Sequence, residues 1–336
     1  MNGYIQHSGK VIQTDEKFKL VMAITLDPRT NYREGILRCI TSRSGEIGIH
    51  GNVDRSELRA VSGDSLEHFR IGEPLKIKHG DEIIAQLGGN AGDFIGLEDP
   101  DIWIDEKTDL MHVYFTIPIL VPTDDHILVS LGHAVGKDVH SLEMTEPVLA
   151  AHHRDESAKE VSIAPINKQG VRFNLFESHD RRDAISYSTV RVATVRDMGA
   201  PWEYGETVFH PAEHNIPWIA GHASPGPLFS KEFIDVGDGK MVGVMNGREA
   251  NLNGDKHTRY RMFSVGLFVY DYEDGKIDWV SPEPFIRDSE ARTITFASQF
   301  VEQGKGTGIL YAHVDDSFVR AYTLNAEEIK RSLKSF

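Results

Sequence analysis

One cysteine in 336 residues, Cys39, leaves nothing for a disulfide framework and cannot build a Cys-ligated zinc site. No stretch approaches the ~18 uninterrupted apolar residues of a spanning helix, and the N-terminal MNGYIQHSGKVIQTDEKFKL lacks the apolar core of a signal peptide. The expected compartment is therefore the cytoplasm. Positive charge is also short, with 36 Lys and Arg against 51 Asp and Glu and a formal net charge of −15. Nucleic-acid grooves and anionic membrane surfaces want clustered Lys and Arg, so no nucleic-acid or membrane partner is expected, while neutral ligands stay open. Nucleotide and triad chemistry lack their motifs too. GGNAGDFIG has no Lys-Ser/Thr and precedes no helix signal, so it reads as a flexible rim loop, and no Gly-x-Ser-x-Gly elbow is present.

What the chain has is repetition. LRAVSGDSLEHFRIGEPL, GHAVGKDVHSLEMTEPVL, RVATVRDMGAPWEYGETVF and FVYDYEDGKIDWVSPEPF each run from an alternating apolar segment through a Gly/Asp turn to an aromatic or Leu and then Glu-Pro or Glu-Thr. Their glutamates are Glu73, Glu146, Glu206 and Glu283. Alternation means strand, and recurrence at roughly 65 residues suits a four-stranded blade with long loops. With 40% hydrophobic and 26% charged residues, the composition is that of an ordinary globular chain. The expectation is all-β: one five-bladed β-propeller domain over residues 1–336, with four-stranded antiparallel blades. Phe18 to Leu26 should close the ring against Ile309 to Leu324. The one convincing helix is the terminal AEEIKRSLKS, with Asn325 as N-cap.

In a propeller the first strand of each unit lines the central channel, so functional side chains should recur near its start. GLEDPDIWID opens the second unit with Glu98, Asp99 and Asp101 crowded around Pro100. Neighbouring carboxyls raise one another's pKa, which suits a proton donor near neutral pH, although a solvated turn capped by Asp99 reads the same way. Asp27 in LDPR, Glu160 and the HVDD pair Asp315 and Asp316 are further candidates for blade entrances, and equally plausible turn residues. His210, His214 and His222 would share a helix face only in part, and Pro211 and Pro217 argue against a helix, so no metal is expected. No cofactor is expected either. His222 is better placed as a partner for a sugar hydroxyl. Trp103 and Trp218 could stack on sugar faces, while Trp202 and Trp279 lie in the repeated phrase and read as core.

A resemblance emerges from these segments taken in order. GLEDPDIWIDEKTDLMHVYFTI looks like the Glu-Asp-Pro-Arg segment of glycoside hydrolase family 130, and KEVSIAPINKQGVRFNLFES resembles that family's third-blade Asn-Lys-Asp segment. HASPGPLFSKEF is similar to its His-x-Gly-x-Gly-Pro-Pro stretch, RYRMFSVGLFVYDYEDGKIDWVSPEPFI to its Tyr-Arg strand, and AHVDDSFVRAYTL to its closing strand. The likeness spans roughly residues 55 to 325, and related propeller families 43, 32 and 68 share an acidic residue before Pro. It implies a five-bladed propeller that cleaves or phosphorolyses β-mannosides, with the catalytic acid at Asp99 and a retained Tyr260.

Departures from the family pattern point to hydrolysis. Asp101 and Glu177 stand where the resemblance places arginines, and Asn246 stands in place of a histidine. A phosphate dianion wants bidentate cations, so two carboxylates there repel it. Glu177 is then the candidate base that polarises water, or else a strand-end residue paired with Arg181 or Arg182. The leading expectation is an inverting glycosidase acting on β-mannosides or related oligosaccharides. A β-mannoside phosphorylase using inorganic phosphate and a non-catalytic sugar-binding propeller stay open, as does a homo-oligomer.

Overall fold

Alternation sets the strands, and burial on both faces sets how they stack. Met111–Val121 carries Val113, Phe115 and Ile117 on one face and Tyr114 on the other, all buried. Such a strand needs a packed layer on each side. The computed structural model describes every residue except 1, 2, 47–51, 89–92, 122–125, 154, 155, 183, 184, 200, 251–260 and 334–336. Its described residues are dominated by strands.

After β1 (Tyr4–Gln6) and β2 (Ile12–Gln13), a first antiparallel unit runs β3 (Val21–Leu26), β4 (Glu34–Ser44), β5 (Val53–Ser65) and β6 (His68–Pro74), with β2 parallel to the edge strand β6. Helix α1 (Gly80–Gln86) leads to β7 (Glu98–Ile104), β8 (Met111–Val121), β9 (His126–Gly136) and β10 (Glu143–Met144). The third unit is β11 (Lys159–Ser162), β12 (Arg172–Arg182), β13 (Ile185–Val195) and β14 (Glu203–Phe209). The fourth is β15 (His222–Leu228), β16 (Lys240–Arg248), β17 (Phe263–Asp271) and β18 (Lys276–Val280), tied to the third by one parallel bridge, Ser188 to His222. Last come β19 (Thr295–Gly304), β20 (Thr307–Val314) and β21 (Phe318–Asn325), then helix α2 (Ala326–Ser332).

The repeated phrases fall on β5–β6, β9–β10, β13–β14 and β17–β18, the third and fourth strands of their units. Apolar clusters sit between successive units. Phe115 and Met111 meet Ile36 and Leu58, Tyr114 meets Phe176, Leu175 meets Trp218, Val265 meets Leu310, and Tyr311 meets Val21 and Phe69. The last unit therefore packs on the first. The first strands β3, β7, β11, β15 and β19 contact one another in sequence and back to β3.

Closure uses a different segment from the expected one. Tyr4, Ile5 and Gln6 pair with Leu324, Thr323 and Tyr322, so β1 becomes the fourth strand of the last unit. Phe18 and Val21–Leu26 contribute packing against Ile309, Tyr311, Val319 and Ala321, while β3 itself hydrogen-bonds to β4. Three residues are too short to show alternation, which is why the sequence pattern pointed to the longer apolar run. Helix α1 was missed for a similar reason: its seven residues depend on packing of Ile84 against the β8 layer. Asn325 does cap α2, accepting from the Glu328 N–H at 3.1 Å.

A buried clamp secures the seam. Arg320 is 1% exposed, donates to the carbonyls of His7 and Ser8 at 2.9 and 3.0 Å, and pairs with Asp288 and Glu290. Tyr322 donates to the same Asp288. Removing the cation strands a buried carboxylate, so Arg320→Met should cost about 3–5 kcal/mol of unfolding free energy. Urea denaturation checks it. A loss below about 1 kcal/mol, the usual size of a surface change, would show that the seam does not depend on Arg320.

Candidate active site

Two β-bulges shape the start of the channel strands. Between the pairs Glu98–Thr116 and Asp101–Tyr114, β7 carries one residue more than β8, and Asp99 adopts φ 47. Between Lys159–Glu177 and Val161–Phe176, β11 carries Glu160 as an extra residue with φ 50. Non-glycine residues rarely occupy this left-handed region, and bulges beside active sites re-aim a side chain. Both carboxyls consequently line a cavity of ≈ 170 Å³. Its walls are residues of the five first strands, including Ala23, Trp103, Ser162, Pro225 and Gln299. This is small beside the ~300 Å³ and more of drug-sized pockets, and fits one small polar ring.

Polar rungs hold these strands in place. Thr25 Oγ1 accepts from the Ile102 N–H at 3.1 Å, Ser162 donates to the Gly226 carbonyl at 2.6 Å, and Thr25 donates to Gln299 Oε1 at 3.0 Å. Gly226 also packs close to β16, where a Cβ would sit 3.0 Å from the Val244 carbonyl. Asn246 completes the set: its amide donates to the Ala297 carbonyl at 3.0 Å and accepts from the Ala297 N–H at 2.8 Å, fully buried. The structure gives Asn246 a bracing job between β16 and β19.

Charge at this end of the channel is paired across units. Arg38, on β4, donates to Asp99 at 2.8 Å and to Glu98, which also faces Ser56. Burial works against the Arg38 charge, yet Glu98 and Asp99 outweigh it and raise its pKa. Burial pushes Glu98 up to about 7 in spite of Arg38. Glu177, 1% exposed on β12, lies 3.3 Å from Lys159 Nζ and 3.3 Å from His222 Nε2. Burial would raise its pKa; the nearby His222 and the Lys159 ammonium overturn that and hold it far below the carboxylate range. Burial pulls His222 below its ordinary value, against the opposing charge of Glu177. Asp316 meets His313 at 2.9 Å, and His313 stacks on Phe296, which together with Phe263 flanks His222.

The structure thus brings together Glu98, Asp99, Glu160, Glu177 and His222, with Asp316 linked to them through the Arg38 and Arg43 charges. Asp101 lines the cavity two residues further along β7, where burial pushes it up to about 7. Asp27 is elsewhere. It follows β3 instead of preceding it, and accepts from Arg29 while capping the turn Pro28–Thr30, so it lies at the opposite end of the channel strands from Asp99. Tyr260 lies outside the described residues. Glu177 does not pair with the arginines that follow it: Arg182 bonds Asp180 and Glu213, and Arg181 bonds Asp180 through its backbone N–H.

The histidine segment holds no metal cluster among the described residues. Pro211–Glu213 is a single 3-10 turn, His210 faces Asp180 at 2.9 Å, and His214 stacks on Phe209. Trp202 is buried core, Trp218 is buried beneath β16 and β17, and Trp103 stands at the cavity wall under Arg172. Sequence reasoning missed Arg38, Lys159 and His313. Nothing local marks Arg38 and Lys159, because their partners lie 18 or more residues away, although Lys159 stands beside Glu160; His313 lies three residues from its partner Asp316, inside the HVDD segment.

No family model matches the sequence, and no curated protein matches it. Solved structures do. The chain is similar to a β-1,2-mannobiose phosphorylase from Listeria innocua bound to β-1,2-mannobiose, with TM-score 0.65 and 15% identity over 96% of this chain and 95% of that one. A mannose phosphorylase from Leishmania mexicana in complex with phosphate gives TM-score 0.54 and 12% identity over 95% and 88%. A GH32 β-fructofuranosidase from Bombyx mori gives 0.54 and 14%, covering 96% of this chain and 61% of that one. At such identities the likeness shows the fold. It is that of the β-propeller glycosidases and mannoside phosphorylases.

Proposed function

We propose that the protein is a single five-bladed propeller related to glycoside hydrolase family 130, and that it hydrolyses β-mannosides or related oligosaccharides with inversion. The observation that carries this reading is the division of charge around the cavity. Glu177 is held as a carboxylate by Lys159 on its own unit, while Glu160 of that unit and Asp99 of the preceding one crowd one another at the cavity lining. A held carboxylate next to crowded carboxyls that line one pocket is what acid/base cleavage of a glycosidic bond requires. Proton donation is assigned to the carboxyl cluster at Asp99, the residue the motif points to, and water activation to Glu177. The two groups should stand roughly 6.5 to 9.5 Å apart across a bound sugar. A hydroxyl of the substrate relaying the proton would loosen that spacing.

Arg38 and Lys159 are already committed to carboxylates, and Asp101 adds a further carboxyl where a phosphate dianion would need a cation. Hydrolysis is therefore favoured over phosphorolysis, although the likeness to the Listeria mannobiose phosphorylase supports the second reading. Aryl glycosides and β-linked manno-oligosaccharides, incubated with and without phosphate, separate them. The expected result is free sugar at a rate indifferent to phosphate. Accumulation of sugar 1-phosphate favours the phosphorylase, and binding without turnover favours a sugar-binding propeller.

A further inference from the structure

Three carboxyls reach the cavity, and they differ in how they are held. Asp99 is fastened to the Arg38 guanidinium at 2.8 Å with its side chain only 7% exposed. Asp101 lies further along β7, past the bulge. Glu160 is set apart: it is the inserted residue of the β11 bulge, its backbone is held at φ 50, and among the described residues no cation pairs with its side chain. Its chain neighbour Lys159 reaches across to Glu177 instead. A bulge that turns an unpaired carboxyl toward a pocket, beside the acidic side chains of Asp99 and Glu177, is an arrangement for keeping a proton.

We propose that Glu160 is the member of the Asp99 cluster that carries the proton at rest and delivers it to the glycosidic oxygen. This rests on the glycosidase reading above and settles which carboxyl acts. The groups facing Glu160 are Asp99 from β7, Arg38 from β4, Glu177 from β12 and its own neighbour Lys159. Burial first, then the charges of Asp99 and Glu177, raise its pKa well above the carboxylate range against the opposing pull of Lys159 and Arg38. Asp99 then works as the fixed negative charge that keeps the proton on Glu160, as in other carboxyl pairs that share one proton. The step balances. The Glu160 O–H proton passes to the leaving oxygen as the C–O bond breaks, water bonds to the anomeric carbon while its proton goes to Glu177, and exchange with solvent resets both.

The test uses the full-length protein in two readouts. In infrared difference spectra at about pH 8.5, above the value of about 7 to which Glu98 and Asp101 are raised, wild type should show a protonated-carboxyl band that Glu160→Gln removes and that Asp101→Asn and Glu98→Gln leave in place. In kinetics, Glu160→Gln should lower kcat/KM by about 10²- to 10⁴-fold on alkyl or sugar leaving groups and far less on aryl glycosides that leave unaided. Asp99→Asn should shift the alkaline limb of the pH profile to lower pH, because Glu160 loses a negative neighbour. A band that survives Glu160→Gln and disappears in Asp99→Asn overturns the proposal, as does a uniform loss on both substrate classes. If wild type turns over no glycoside at all, the glycosidase reading fails, and the infrared band alone still decides where the proton sits.

Discussion

Asp99→Asn is expected to lower turnover of natural β-glycosides by about 10²- to 10⁴-fold, the usual range for loss of a group in acid/base catalysis. The geometry explains why an isosteric change should be so costly. Asp99 is the extra residue of the β7 bulge, reaches the cavity, and holds Arg38, which in turn holds Glu98. Asparagine keeps the shape and removes the charge. Arg38 then has only Glu98 as an anionic partner, and the field that favours a proton on Glu160 weakens. The loosened Arg38–Glu98 contact acts on every substrate, whereas the weaker hold on the Glu160 proton matters only where the leaving group needs protonation, so part of the loss should extend to aryl glycosides with good leaving groups. Steady-state kinetics on a matched pair of substrates checks it. A loss confined to poor leaving groups would return the proton-donor role to Asp99 itself, and a rate near that of wild type would remove Asp99 from the machinery.

Glu177→Gln should fail twice, in rate and in stability. As the assigned base its loss costs about 10²- to 10⁴-fold in turnover, and azide, small enough to attack without a base, should restore part of it. As the partner of Lys159 and neighbour of His222, its neutralisation leaves a partly buried ammonium without its anion, a change worth about 1–3 kcal/mol. The double variant Lys159→Met with Glu177→Gln should recover stability without recovering activity. The acid limb carries a separate signature. The folded pKa of Glu177 lies below its unfolded value, so its stabilisation is complete above about pH 4.3 and is lost as pH falls through that value toward the folded pKa. Glu177→Gln should therefore be less stable at neutral pH and flatter in acid. Equal acid sensitivity in both proteins would mean that Glu177 is not held as a carboxylate.

Several features of this protein were legible without a structure, and the reason is periodicity. The four repeated phrases fall on third and fourth strands because alternation, a Gly/Asp turn and a returning aromatic are local instructions for a hairpin. GLEDPDIWID could be placed at the start of a channel strand for the same reason, and Asn325 could be read as a cap from its own side chain. Asp27 shows the limit of such reading. LDPR looks like an entrance motif, yet it follows its strand, and direction along a channel is not a property of four residues.

Composition and pattern by themselves determined that the chain is β-rich and repeated and that acidic residues gather before the second unit. Three outcomes belonged to the tertiary structure. Tyr4–Gln6 closes the ring because the last unit, not the first, lacks a fourth strand, and a three-residue segment acquires meaning only against that open edge. Asn246 became a brace because Ala297, 51 residues away, presents a bare N–H and C=O to its amide. The protonation of the site was decided by distance: Arg38 crosses from β4 to Asp99, Lys159 crosses from β11 to Glu177, and Glu160 is left without a cation. Charge interactions depend on separation and burial, and neither quantity is written in the order of residues along the chain.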